Sequence, residues 1–181
     1  MRNPARFLMA FVFFASTVHA ADLPSPPSGF AWQQIPEVKS ALLRPEGWHF
    51  KQEERGGILG YFVTKQDIDE QGHFETGLTV NVFPRLGGGL AVERGQALIQ
   101  RVATAHHEKT WNQQVGQLQE FGCEVRDTDA SGTVVMHALA VANTKTDTLY
   151  LLIFESPAAD WDASWQIGKE IMDAVKFDDG V

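Results

Sequence analysis

Two stretches constrain the fold more than any others. Residues 133–141 (TVVMHALAV) and 149–154 (LYLLIF) are near-continuous apolar runs of strand-forming residues. A strand with one face in water alternates apolar and polar positions, so strands without that alternation are covered on both faces. The chain therefore needs a sheet with other elements above and below it. Two segments are suited to cover it. Ala91, Gly95, Leu98, Val102 and Ala105 recur at spacings of four, three, four and three, which puts them on one helix face opposite Glu93, Gln96 and Gln100. Trp161, Trp165, Gly168, Met172 and Val175 repeat those spacings, and Ile171 widens the stripe after a Ser156-Pro157 start. Gly168 is the weak point of that second helix, costing it about 1 kcal/mol relative to alanine, although on the apolar face a glycine also allows close approach to the sheet.

The remaining strands are shorter. Residues 38–43 read as a strand, Pro45-Glu46-Gly47 as a turn, and 48–53 as the next strand. Arg55-Gly56-Gly57 reads as a hairpin turn, because adjacent glycines accept positive φ, and 59–64 continues as its partner strand. Residues 65–73 are polar and read as a loop holding one helical turn. Leu78, Val80 and Val82 alternate with Thr79, Asn81 and Phe83 until Pro84 ends the strand. Residues 123–127 read as a strand beside the apolar centre. Strands precede each helix in groups, in the order β-β-β-β, α, β-β-β, α. That order predicts an α+β domain, an α/β/α sandwich on a central antiparallel sheet with two main helices, rather than an alternating parallel sheet.

The amino terminus reads as an export signal over residues 1–20. Arg2 and Arg6 form a positive start, residues 7–15 are an unbroken apolar run, and Val18-His19-Ala20 suits cleavage after Ala20. Nine residues rise about 14 Å as a helix, half a hydrocarbon core, so cleavage is a better reading than an anchor. Residues 21–34, with Pro24, Pro26 and Pro27, read as a flexible leader, and 35–181 as a single domain. The expected location is periplasmic or secreted, soluble after cleavage and without membrane insertion. Basic residues number 15 against 23 acidic, a net charge of −8 that the loss of Arg2 and Arg6 deepens to −10. Such a balance excludes nucleic acid as the expected partner. A 44% hydrophobic and 21% charged composition excludes a disordered chain.

The segments Leu43-Arg44-Pro45-Glu46-Gly47-Trp48, Tyr61-Phe62-Val63-Thr64-Lys65 and Phe74-Glu75-Thr76-Gly77-Leu78-Thr79-Val80-Asn81-Val82, with residues 149–157 and the Trp-bearing last helix, resemble the PsbP/Mog1-like α/β/α families. The resemblance covers residues 35–177 and lies in element order and scattered positions rather than a catalytic motif. It implies a central antiparallel sheet with helices on both faces. It also implies an accessory role, since these families hold an extrinsic photosystem subunit, a Ran-binding factor, secretion-associated chaperones and envelope proteins. The export signal argues against the cytoplasmic Ran-binding and chaperone roles, and no functional residue carries across by position.

Motifs for chemistry are few. Asp127-Thr128-Asp129-Ala130-Ser131-Gly132 copies the first half of a calcium loop, but position twelve falls on Ala138 and the flanks read as strands, so a hairpin turn is the reading. His49, His73, His106, His107 and His137 lack metal-ligand spacing; His106 and His107 diverge by about 100° on a helix, and His137 in an apolar strand reads as a core histidine. Pro84 to Gly89, with Arg85, has the composition of an anion-binding loop at a helix start, but it lacks the Lys-Ser/Thr of a Walker loop and reads as a connector. Asp67, Asp69 and Glu70 read as a solvated run. Cys123, the one cysteine, reads as a buried thiol rather than half of an intermolecular bridge. The expectation is no metal, no cofactor and no catalytic residue. The function expected is an exported non-enzymatic accessory or protein-binding module of the bacterial envelope, its partner an unidentified envelope protein met through Trp111 and Arg85. A small periplasmic hydrolase or ligand-binding enzyme, with a site assembled only in the fold, is the alternative.

Overall fold

The structure, a computed structural model, describes residues 23–68, 72–130 and 132–177. Strands β1 (Phe30–Ile35) and β2 (Ser40–Pro45) flank a 3-10 turn at Pro36–Val38. Then come β3 (His49–Arg55), β4 (Ile58–Thr64), β5 (Gly77–Phe83) and helix α1 (Leu90–His106). Strands β6 (Thr110–Val115), β7 (Leu118–Asp129), β8 (Gly132–Asn143) and β9 (Thr148–Pro157) lead to helix α2 (Trp161–Ala174). Seven strands form one sheet in the order β3-β4-β5-β9-β8-β7-β6, while β1 and β2 pair separately. Every pairing is antiparallel. The expected α+β sandwich is therefore the architecture, and the two apolar runs are its central strands.

Alternation along β8 and β9 divides the core into two layers. Ala138, Ala140, Ala142 and Leu149 meet Ala91, Ile99 and Ala103 of α1, with Cys123 and Val125 of β7. The small residues let α1 come close: a Cβ on Gly95 would lie 3.1 Å from Leu149 Cδ1. On the other face Tyr150, Leu152 and Phe154 meet Trp161, Ile171 and Met172 of α2, and Leu42 and Leu43 of β2 join them. Gly168 serves the close approach anticipated for it, since a Cβ there would stand 2.6 Å from the Phe154 ring. Cys123 is a free, fully buried thiol on the α1 side.

Three expectations need correction, and one strand is new. Residues 30–34, assigned to the leader, are strand β1, whose partly covered Trp32 donates its indole N–H to the Pro24 carbonyl at 2.6 Å. Residues 36–38 form a turn because Pro36 fixes φ, so the next strand starts at Ser40 rather than at 38. The stripe of α1 is rotated by one position: Ile99 and Ala103 are buried, while Leu98 and Val102 are half-buried. Strand β6, TWNQQV, has no apolar alternation and was not anticipated; all six of its residues are exposed at the sheet edge. The Gly56-Gly57 hairpin is as read, with φ of 60° and 78°. The end of the domain returns to its beginning, where an isolated bridge joins Ala41 of β2 to Lys176 just after α2. The export signal and its cleavage point lie outside the described residues.

Candidate functional site

Helix α2 and the β1–β2 hairpin do not cover the whole of their face of the sheet. Even-numbered residues of β7 and odd-numbered residues of β6 and β8 point to that side, and beyond α2 they floor a cleft of about 480 Å³. Trp111, Gln113, Leu118, Glu120, His137 and Leu139 come from the strands; Trp165, Lys169, Met172 and Asp173 come from α2, with Val175 and Phe177 beyond it.

The floor is an aromatic series running from core to solvent. Phe154 lies 5.9 Å from Trp165, and Trp161 stacks on Trp165 at 5.3 Å with 7° between planes. The His137 ring follows at 4.3 Å from Trp165 and 6.0 Å from Trp111. Burial pushes the His137 imidazole below its ordinary pKa; Asp173 opposes this and Lys169 reinforces it. The ring is thus a neutral donor and acceptor at physiological pH. At the outer end Trp111 is 39% exposed. It stands opposite Gly122 in the β6–β7 register, and its indole fills the space that a side chain there would take. The rim is polar: Gln113 Nε2 donates to Glu120 Oε2 at 2.5 Å, and Lys169 pairs with Asp173 one turn along α2.

Of the residues anticipated for partner contact, Trp111 is in this cleft and Arg85 is not. Arg85 is exposed after β5, which is separated from β6 by β9, β8 and β7. The nearby start of α1 already has its anion: Asp147 accepts from Gly89 N at 3.1 Å and Ala91 N at 2.9 Å, satisfying the amides that an exogenous anion would need. Asp127 to Asp129 end β7, with Asp129 opposite Gly132 of β8, and Asp127 lies 4.0 Å from His106. His49 faces Asp67 at 3.8 Å. Ser131, Asp69 and Glu70 lie outside the described residues. A second hollow, of about 600 Å³, is lined by Phe74, Thr133 and Glu155 among others, and burial raises the pKa of Glu155.

Sequence reasoning placed His137 and Trp165 in the core. The structure instead leaves both half-buried as cleft walls. Strand parity carried the signal for His137, since it shares a face with Val135 and Val141 on the α2 side. Glu120, Lys169 and Asp173 had no signal, because only the turn between β6 and β7 and the placement of α2 bring them together.

No protein-family model and no curated protein matches the sequence. Solved structures do match. Cyanobacterial PsbP (CyanoP) from Synechocystis superposes with a TM-score of 0.52 at 13% identity, over 87% of this chain and 99% of that one. The Saccharomyces cerevisiae Ran-binding protein Mog1p superposes with a TM-score of 0.51 at 14% identity, over 82% of this chain and 95% of that one. Among the described residues no helix is long and apolar enough to cross a membrane. The seven-stranded antiparallel sheet between two helical layers is the PsbP/Mog1-like α/β/α fold.

Proposed function

We propose that the chain is an exported, non-enzymatic accessory module that binds another protein of the bacterial envelope through the cleft between β6 and α2. Export rests on the Arg2/Arg6 start, the apolar run and the Ala20 cleavage motif, which give a soluble periplasmic or secreted protein. Protein binding rests on one observation above all: Trp111 is a large aromatic side chain left exposed yet held in place on Gly122, at the mouth of a cleft that mixes apolar walls with the polar groups of Gln113, Glu120, His137, Lys169 and Asp173. Rigid, partly exposed tryptophans of this kind anchor protein interfaces, because they offer a large contact area with little conformational freedom left to lose. Mog1p, a structural neighbour, is itself described as Ran-binding. The cleft presents a neutral imidazole and two carboxylates, whereas Cys123, the chain's one thiol, lies on the opposite side of the sheet.

Crosslinking in intact cells tests the reading. Tagged protein and a Trp111→Ala variant are compared by mass spectrometry of what each retains. One reproducible envelope partner is expected with the unaltered protein, and recovery about tenfold lower with the variant. Absence of any partner, with turnover of ester, phosphate or peptide substrates by the purified protein, would overturn the proposal in favour of an enzyme.

A further inference from the structure

The two edges of the main sheet are built differently. Strand β3 reads HFKQEER, and the charges of Lys51, Glu53, Glu54 and Arg55 are the usual protection of an exposed edge against pairing with another chain. Strand β6 reads TWNQQV: it has neither charge nor proline, its six residues are all exposed, and β7 is its one ladder partner among the described residues. An unprotected edge thus borders the cleft. A strand added there runs about 4.8 Å from β6 and sends every second side chain to the cleft side, next to Trp111 and Gln113.

The charges beside that edge favour one kind of side chain. Glu120 is held by the neutral amide of Gln113 and meets no cation among the described residues, while Lys169 is taken up by Asp173. Trp111 rests on Gly122 and keeps part of its indole open to solvent. An aromatic surface next to an uncompensated carboxylate attracts a cation through the ring quadrupole and the charge together. The acidic balance of the whole chain acts in the same direction.

We propose that the partner protein supplies an extended segment that joins β6 as an eighth strand, with a lysine or arginine directed at Trp111 and Glu120. The proposal rests on the reading of the cleft as a protein-binding site and states how that site recognises its partner. Neither a folded helix nor a proline-rich segment satisfies the β6 edge, since the first has no free ladder and the second lacks the amides.

The experiment is a selection of random ten-residue peptides displayed against the immobilised protein, followed by measurements on the most enriched peptide. The expected peptides carry a basic residue within an alternating, proline-free pattern. Binding should slow amide exchange across β6 and weaken at least tenfold when alternate peptide amides are N-methylated. Glu120→Gln should weaken it severalfold and flatten its salt dependence. If Trp111→Ala abolishes binding while N-methylation does not matter and β6 exchange is unchanged, strand addition fails and the cleft survives as a protein site. If Trp111→Ala has no effect on a peptide that binds, both readings fail. Enriched peptides without basic residues, failure to enrich any peptide, or concentration-dependent pairing of two copies through β6 in place of peptide binding, overturn the inference.

Discussion

The indole of Trp111 lies across the α-carbon of Gly122 so closely that a methyl group there would come within 2.1 Å of the ring's Cζ2. The ring has solvent on its outer side, so a methyl group that removes its seat on Gly122 displaces it without disturbing the core. Gly122→Ala should therefore shift stability by less than about 1 kcal/mol. Partner recovery should nonetheless fall as far as it does for Trp111→Ala, because the anchor is displaced. Denaturation midpoints and crosslinking yields measured on the same preparations check this; full recovery with the alanine variant would mean that the indole's position is irrelevant to binding.

Gly168 reverses that logic, because its neighbour cannot move. The Phe154 ring is fully buried under α2, 2.6 Å from where a Cβ on residue 168 would stand. Gly168→Ala gains about 1 kcal/mol of helix propensity. It should still destabilise the protein by about 1 to 3 kcal/mol, since overpacking forces α2 off the sheet. Urea denaturation decides the sign, and a raised midpoint would refute the packing described for α2.

Tyr61 is fully buried, and its hydroxyl has no hydrogen-bond partner among the described residues. Burial, with Glu37 and Glu54 adding to it, pushes its pKa up to about 12. Removing an unsatisfied buried hydroxyl without changing shape is neutral or stabilising, so Tyr61→Phe should keep or raise the melting temperature. The folded state holds the phenol proton more tightly than the unfolded chain, so the unaltered protein loses stability as pH rises from about 10 towards 12. The phenylalanine variant should lack that alkaline loss. Melting temperatures across this range measure it.

The cleft imidazole titrates in the other direction. Burial lowers the His137 pKa from its ordinary value of 6.5, so the unfolded chain binds this proton more readily than the folded one. Stability contributed through His137 is present above pH 6.5 and declines as pH falls from there towards the lowered folded value. His137→Gln should remove this part of the acid sensitivity. Denaturation at successive pH values on both proteins tests it, and identical slopes below neutrality would contradict the assigned direction.

Much of the architecture could be read from residue periodicity because burial imposes it. The runs in β8 and β9, the Gly56-Gly57 turn and the existence of the two helices each satisfy a local rule, although the buried stripe of α1 is rotated by one position from the one read. Strands β1 and β6 escaped because partial or absent burial leaves no alternation to read. Trp111 was singled out from residue type alone, whereas the rest of the cleft depends on register. Gly122 faces Trp111 only because β6 and β7 pair around Gly116 and Gln117, and Glu120 meets Gln113 by the same pairing. The Gly87-Gly88-Gly89 loop reads as a connector, and nothing local shows that Asp147, 58 residues beyond Gly89, accepts from the amides at the start of α1.

The bridge between Ala41 and Lys176 gives the chain a timetable. Ala41 exchanges hydrogen bonds with Lys176, donating to its carbonyl at 3.0 Å and accepting from its amide at 2.8 Å. A ribosome releases Leu42 and Leu43 long before the residues that cover them. Until the segment after α2 is in place, at the ribosome or beyond a membrane, the apolar side of this hairpin therefore stays uncovered. Loss of that segment would leave the earliest-made strands open, so the two ends of the domain close each other.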